Sequence, residues 1–255
     1  MSAVAAFLAL SLRSRARRIL ALAAFGALFL LAGATARIFT GSEHGHVELE
    51  RLFELGGTTL VSALLLLGWL IGRFPMIATL VLMSGVFSDD RAHGHARLYA
   101  VRPRSMIALY GARMVLFALL AFVLSAILIP AFDLLVLNEW TGTGVFALIG
   151  AQVLVYASLT ALLSVATRAD AWVALFLGLL ATVWYALRRM DFFATTPPVI
   201  RETVSVVLPP QGALLRVEGA FAAAQPAPAE AMLYITIYAV LVLILAGLAL
   251  LRREI

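Results

Sequence analysis

Apolar runs of membrane-crossing length return along nearly the whole chain, and they constrain its fold more than any other feature. Six are legible, at about 19–36, 57–86, 106–137, 143–166, 171–187 and 231–251. A helix needs about 20 apolar residues to cross the hydrocarbon of a bilayer, so each run has the length of a span. Of the 255 residues 63% are apolar and 13% charged, against roughly a quarter charged in a soluble domain. Such a chain lacks the polar side chains to cover a water-facing surface. The sequence therefore predicts an all-α integral membrane protein: an N-terminal interfacial helix plus six transmembrane helices, forming one transmembrane domain over residues 1–255. The runs at 57–86 and 106–137 exceed the hydrocarbon thickness, so they are expected to project beyond it or to bend, at Pro75 and Pro130 respectively.

Arginine placement sets the orientation. With both termini cytoplasmic, twelve of the 19 basic residues lie inside: Arg13, Arg15, Arg17, Arg18, Arg91, Arg97, Arg102, Arg104, Arg113, Arg168, Arg252 and Arg253. Arg37, Arg51, Arg188, Arg189, Arg201 and Arg216 lie outside, and Arg73 falls within a span. This is the positive-inside bias, and ten of the 14 acids lie at or beyond the outer face. The net charge of +5 is thus a signal of topology, which argues against nucleic acid as a partner and for membrane lipids.

Two segments outside the spans have readings of their own. Residues 1–18 read as an interfacial helix along the inner leaflet, with Val4, Phe7, Leu8 and Leu12 on its buried side. A cleaved signal peptide ending near Ala34-Thr35-Ala36 is the competing reading, but the apolar run is long for one and residues 3–12 have no place in it. Residues 191–230 form the longest connection, outside, with prolines at 197, 198, 209, 210, 226 and 228. Its middle is apolar enough to dip back as short re-entrant helices, which a bilayer tolerates only where protein covers them. No repeat relates the two halves, against an inverted-repeat secondary transporter.

The composition also removes whole classes of chemistry. All 19 basic residues are Arg and there is no Cys. Without Lys there is no P-loop and no Schiff base; without Cys there is no thiolate nucleophile or disulfide. HExxH, GxGD and GxSxG are absent as well, which disfavours an intramembrane enzyme. A proton-driven or channel-type transporter is the alternative transport reading. It lacks the intramembrane acids and histidines of a proton relay, apart from Asp133 near a span end. No cofactor is expected in this chain.

The most informative stretch is 88–105, between the second and third runs. It holds Asp89, Asp90, Arg91 and Gly94, an apolar-basic segment with Arg97, Leu98 and Tyr99, then Arg102-Pro103-Arg104-Ser105 before Gly111-Ala112-Arg113 opens the third span. An acid, a Gly four residues on, a short apolar-basic helix and a Pro-basic-Ser element follow in order. Here the chain resembles the permeases of the type 2 exporter family of ABC transporters, in which such elements frame a coupling helix seated on the ATPase subunit. The likeness extends to the six spans, to Pro75 in the second of them and to the basic C-terminus. Asp90 stands where the family mostly has Glu, and Arg113 where it has Lys.

The resemblance implies a bacterial inner (plasma) membrane subunit. Two copies, or one copy with a paralogue, would enclose a pathway between their second and fifth spans, driven by ABC ATPase subunits that carry ATP and Mg. A bland reading competes for the same stretch: a solvated loop obeying the charge rule.

Other candidates are weaker. His44-Gly45-His46 and His93-Gly94-His95 could each offer two imidazoles to a metal, but an HxH in a Gly-containing loop is a poor site. Arg73 is a cation inside a span: it serves a pathway, snorkels, or pairs with Asp133. Gly68 and Gly72 form a GxxxG that most often means close helix packing. Trp69, Trp140, Trp172, Trp184 and Tyr185 read as interface-belt or packing residues.

Overall fold

The computed structural model describes residues 3–40, 69–92, 106–137, 140 and 142–254. No strand occurs among them. Five helices are long and apolar enough to cross a membrane: α1 (Ala3–Thr40), α4 (Met106–Phe132), α5 (Gly144–Ala166), α6 (Asp170–Arg189) and α9 (Ala229–Glu254). Four shorter ones complete the described chain: α2 (Phe74–Met83), α3 (Ser88–Ala92), α7 (Pro198–Val207) and α8 (Gln211–Ala222).

Two expectations need correction at the N-terminal side. Among the described residues no break sets 3–18 apart from the first span: α1, Ala3–Thr40, runs unbroken for 38 residues. Nothing in residues 13–18 stops it: Arg and Ala are good helix formers, and no Pro intervenes. At 1.5 Å per residue α1 measures about 57 Å, well beyond the roughly 30 Å of a hydrocarbon core. The face named in the sequence is nonetheless the buried one, but against protein: Phe7 is buried in the main core, with Val4, Leu8 and Leu12 packed on it.

The second run does not continue as a helix to 86. A helical turn at 69–72 gives way at Arg73, and α2 begins with Pro75 in its first turn, where a missing N–H costs nothing. The break thus falls at the expected proline. Residues 57–68, with Gly68, lie outside the described residues. At its other end α2 stops at Met83: Ser84 is extended (ψ 128°) and Gly85 turns with φ +74° before α3.

In the third run Pro130 lies inside α4, and the backbone passes from Phe132 into a π-helical turn, Asp133–Leu137. A proline leaves one carbonyl of the ladder without its N–H, and a local change of helical pitch absorbs the defect. Two short helices, α7 and α8, occur within 191–230. α8 packs on α5 and α9 through Ala213, Leu214 and Val217, all buried, whereas α7 has no buried residue.

α5 is the axis of the bundle. Its apolar window is 72% buried, against 39% for α4 and 22% for each of α1, α6 and α9. The outer helices leave long apolar side chains in the open, among them Leu28 and Leu31 of α1, Ile127 of α4, Leu179 of α6 and Ile244 of α9. Apolar surface on this scale is what a bilayer covers and water does not.

Contacts fix the helix directions. α1 and α4 run the same way, since Phe7 meets Tyr110, Arg15 meets Phe117 and Gly26 meets Leu128. α5 ends beside α3 and the start of α6, so Arg15, Ser84–Ala92, Arg113, Ser164 and Asp170 gather at one end of the bundle. α7, α8 and the last turn of α6 lie together at the opposite end.

Candidate functional site

The turn after α2 is densely bonded, because a helix ending inside a protein leaves carbonyls that must find donors. Guanidinium groups from α1 supply them. Arg15, only 3% exposed, donates through Nη1 to the Leu82 carbonyl at 2.7 Å and to that of Ser84. Arg18 donates to the Ser84 carbonyl at 2.7 Å and the Val81 carbonyl at 3.3 Å. Both reach Asp89 at the start of α3, Arg15 at 3.6 Å and Arg18 at 3.9 Å.

The N–H groups of the same turn go to α5 and α6. Gly85 N–H donates to Asp170 Oδ2 at 2.8 Å, and the Ser84 hydroxyl to Oδ1 at 3.3 Å. Phe87 and Ser88 N–H both donate to Ser164 Oγ, at 2.9 and 3.2 Å. Gly85 is required here on two grounds. Its positive φ favours glycine, and a Cβ would lie 2.1 Å from Asp89 Oδ2.

α3 is tied down on its other side as well. Asp90 accepts from Arg113 Nη1 of α4 at 2.7 Å and from the Tyr110 hydroxyl at 3.2 Å. Arg91 donates to the Val165 carbonyl at 2.7 Å. Aromatic faces complete the enclosure, with Arg15 5.1 Å over the Phe117 ring and Arg113 5.7 Å over Phe7. Together the bonds tie the 84–87 turn and α3 to α1, α4, α5 and α6.

Asp89, Asp90 and Arg91 are therefore brought together as a unit. Gly94, Arg97, Leu98, Tyr99, Arg102, Pro103 and Arg104 lie outside the described residues, as do His44, His46, His93 and His95. No group of metal-ligating side chains occurs among the described residues.

A second polar contact corrects an expectation. Arg73 does not pair with Asp133; its partner is Glu218 of α8, at 3.0 Å. The reason is the fold-back of the 191–230 connection, which lays α8 beside the start of α2. Gln152 of α5 donates to the Gly72 carbonyl next to it at 3.1 Å. Gly72 itself faces open space, since a Cβ there would meet nothing within 4 Å. The packing read from GxxxG is not made at Gly72 among the described residues.

Sequence reasoning passed over Asp170, Ser164, Gln152 and Glu218. Only Asp170 carried a signal, as an acid on the side where acids are scarce. Of the tryptophans, Trp184 is packed, stacked on Phe193 at 4.3 Å and donating to Ser205 at 3.1 Å, while Trp69, Trp140 and Trp172 are exposed.

Compared with protein-family models, curated proteins and solved structures, the chain has no significant match.

Proposed function

We propose that the chain is the transmembrane permease subunit of an ATP-driven ABC exporter, coupled to separate ATPase subunits through residues 88–105. In this reading it is a six-span protein of a bacterial inner membrane with both termini cytoplasmic. It works as a dimer with a second copy or a paralogue. ATP and Mg belong to the partner ATPase.

One observation carries the reading: the 84–87 turn and the short helix α3, which lead into the 88–105 stretch, are bonded to α1, α4, α5 and α6 together. A solvated loop needs no such anchorage. A handle that passes force from a soluble motor into a bundle does, because displacement of a slack segment moves nothing else. The Arg-rich composition of the stretch and the lack of Lys in the chain agree with a motor on another polypeptide.

The test removes the handle's apolar anchors and leaves every Arg in place. Leu98→Ala with Tyr99→Ala should cost about 2 to 4 kcal/mol at an interface hot spot, so co-purification with the ATPase and stimulated hydrolysis fall while expression stays normal. Asp90→Arg should uncouple the pair without inverting the protein. Assembly and stimulation at the parent's level in both variants would overturn the reading. Transport that follows a proton gradient without any ATPase would install the proton-driven alternative.

A further inference from the structure

α7 is an amphipathic helix turned the wrong way round for a protein in water. Val199, Ile200, Val206 and Val207 fall at i, i+1, i+7 and i+8 and so share one face. They are 76, 51, 61 and 72% exposed. The opposite face is the one that meets the bundle. Ser205 Oγ accepts from Trp184 Nε1 at 3.1 Å and from Arg188 Nη1 at 2.6 Å, and Glu202 accepts from Arg188 Nη2 at 2.6 Å. A surface helix of a water-soluble domain does the reverse, because burial of its apolar face is what holds it in place.

The contacts with α6 also fix a depth. Asp170 opens α6 within the Arg–Asp cluster, and such a cluster of charges belongs at the edge of the hydrocarbon. Trp184 and Arg188 follow it by fourteen and eighteen residues, which is about 21 and 27 Å along the helix. Both lengths fall inside the roughly 30 Å of a hydrocarbon core. α7 therefore hangs at the boundary between acyl chains and headgroups on the side away from the cluster. At the same level α6 itself exposes Leu180 and Val183, side chains of the kind a bilayer covers. A cavity of about 470 Å³ separates the back of α7 from α8 and from Tyr234 of α9, and the polar contact with α6 is its main attachment.

The chemistry of the outward face selects what covers it. It carries no charge, and its one hydroxyl, that of Thr203, already donates to the Val199 carbonyl at 2.7 Å. A protein partner would find no free polar group there to recognise. A second copy would find no Gly, Ala or Ser at which helices approach closely in a bilayer. Acyl chains require neither.

We propose that α7 is an interfacial helix that seats its apolar face among the acyl chains of the phospholipid leaflet remote from the Arg–Asp cluster. At that boundary the unpaired backbone groups at its two ends still reach headgroup water. The proposal does not rest on coupling to an ATPase, since α7 lies at the other end of the bundle.

The chain has no Cys, so a nitroxide label can be placed at one position at a time. Val199→Cys, Ile200→Cys, Val206→Cys and Val207→Cys all alter exposed residues and leave the contacts with α6 in place. Each full chain is labelled and reconstituted into phosphatidylcholine vesicles. Collision rates with oxygen and with a water-soluble nickel chelate are then read by power saturation of the electron paramagnetic resonance signal. Oxygen concentrates among acyl chains and the chelate in water.

At all four positions collisions with oxygen are expected to exceed those with the chelate several-fold. Dominant chelate collisions would put the face in water, and low rates with both would put it under protein, a second copy included; either result overturns the proposal. Ile200→Glu with Val207→Glu, added to the label at position 206, should raise chelate collisions several-fold as the helix lifts out of the lipid. A label that stays as deep as before would show that the apolar face does not hold α7 there, which sinks the proposal equally. None of these outcomes bears on the coupling segment.

Discussion

α6 is held at its two ends by opposite means. At its start the Asp170 carboxylate is 0% exposed and accepts from the Gly85 and Ala171 N–H groups and the Ser84 hydroxyl. At its last turn Arg188 is 37% exposed and paired with Glu202, itself 62% exposed. At the buried end the Asp170 carboxylate is matched by the chain's own donors, and the cavity of about 350 Å³ beside it, between Arg18, Leu80, Ser84, Ala171 and Trp172, is mainly apolar. The exposed end closes only in part and keeps a cavity. A charge removed from solvent must be matched by the protein's own donors, so that end becomes rigid; a charge in contact with solvent can be matched loosely, so that end can admit a guest.

Asp170→Ala is the strongest way to break this contrast. It strands the Ser84–Phe87 turn and leaves nearby Arg15 short of compensation, so a loss of about 3–5 kcal/mol is expected, read as a fall in the thermal unfolding midpoint in detergent. Retention of the parent midpoint would mean that the buried network does not hold this end. Gly85→Ala attacks the same turn through its backbone and should cost about 1–3 kcal/mol, measured in the same way. Loss of Asp89 in combination should recover part of that, because the introduced Cβ then meets no carboxylate. The smallest effect is expected at the other end. Glu202→Ala should change stability by less than about 1 kcal/mol, since an exposed pair contributes little.

Where length and composition decide an element, the sequence reads it well. The runs at 143–166, 171–187 and 231–251 become α5, α6 and α9 within a few residues, because a span must be long and apolar whatever it packs against. The run at 106–137 holds as well, proline included. Where a partner decides, the sequence is silent. Residues 13–18 look like a water-facing basic cluster, yet Arg15 is buried, because its acceptor on Leu82 lies 67 positions along the chain. Arg73 finds Glu218 across 145 positions, a distance no local pattern encodes. The acids at 89 and 90 are legible as a pair, whereas their separate partners, Arg15 with Arg18 and Arg113, depend on how α1 and α4 lie side by side.

The grip of α1 on the end of α2 also says something about biogenesis. Of the described helices α1 is made first, and its Arg15 and Arg18 then have none of their carbonyl acceptors on α2 and the following turn yet synthesised. The carbonyls of Leu82 and Ser84 come next, Arg113 and its aspartate later, and Asp170 last of all. An arginine without protein partners is least costly where water still reaches it. The first helix is thus best served by waiting at a hydrated depth and settling only when its successors arrive. Insertion of this chain is in that sense a deferred event, completed from the middle of the sequence and not from its start.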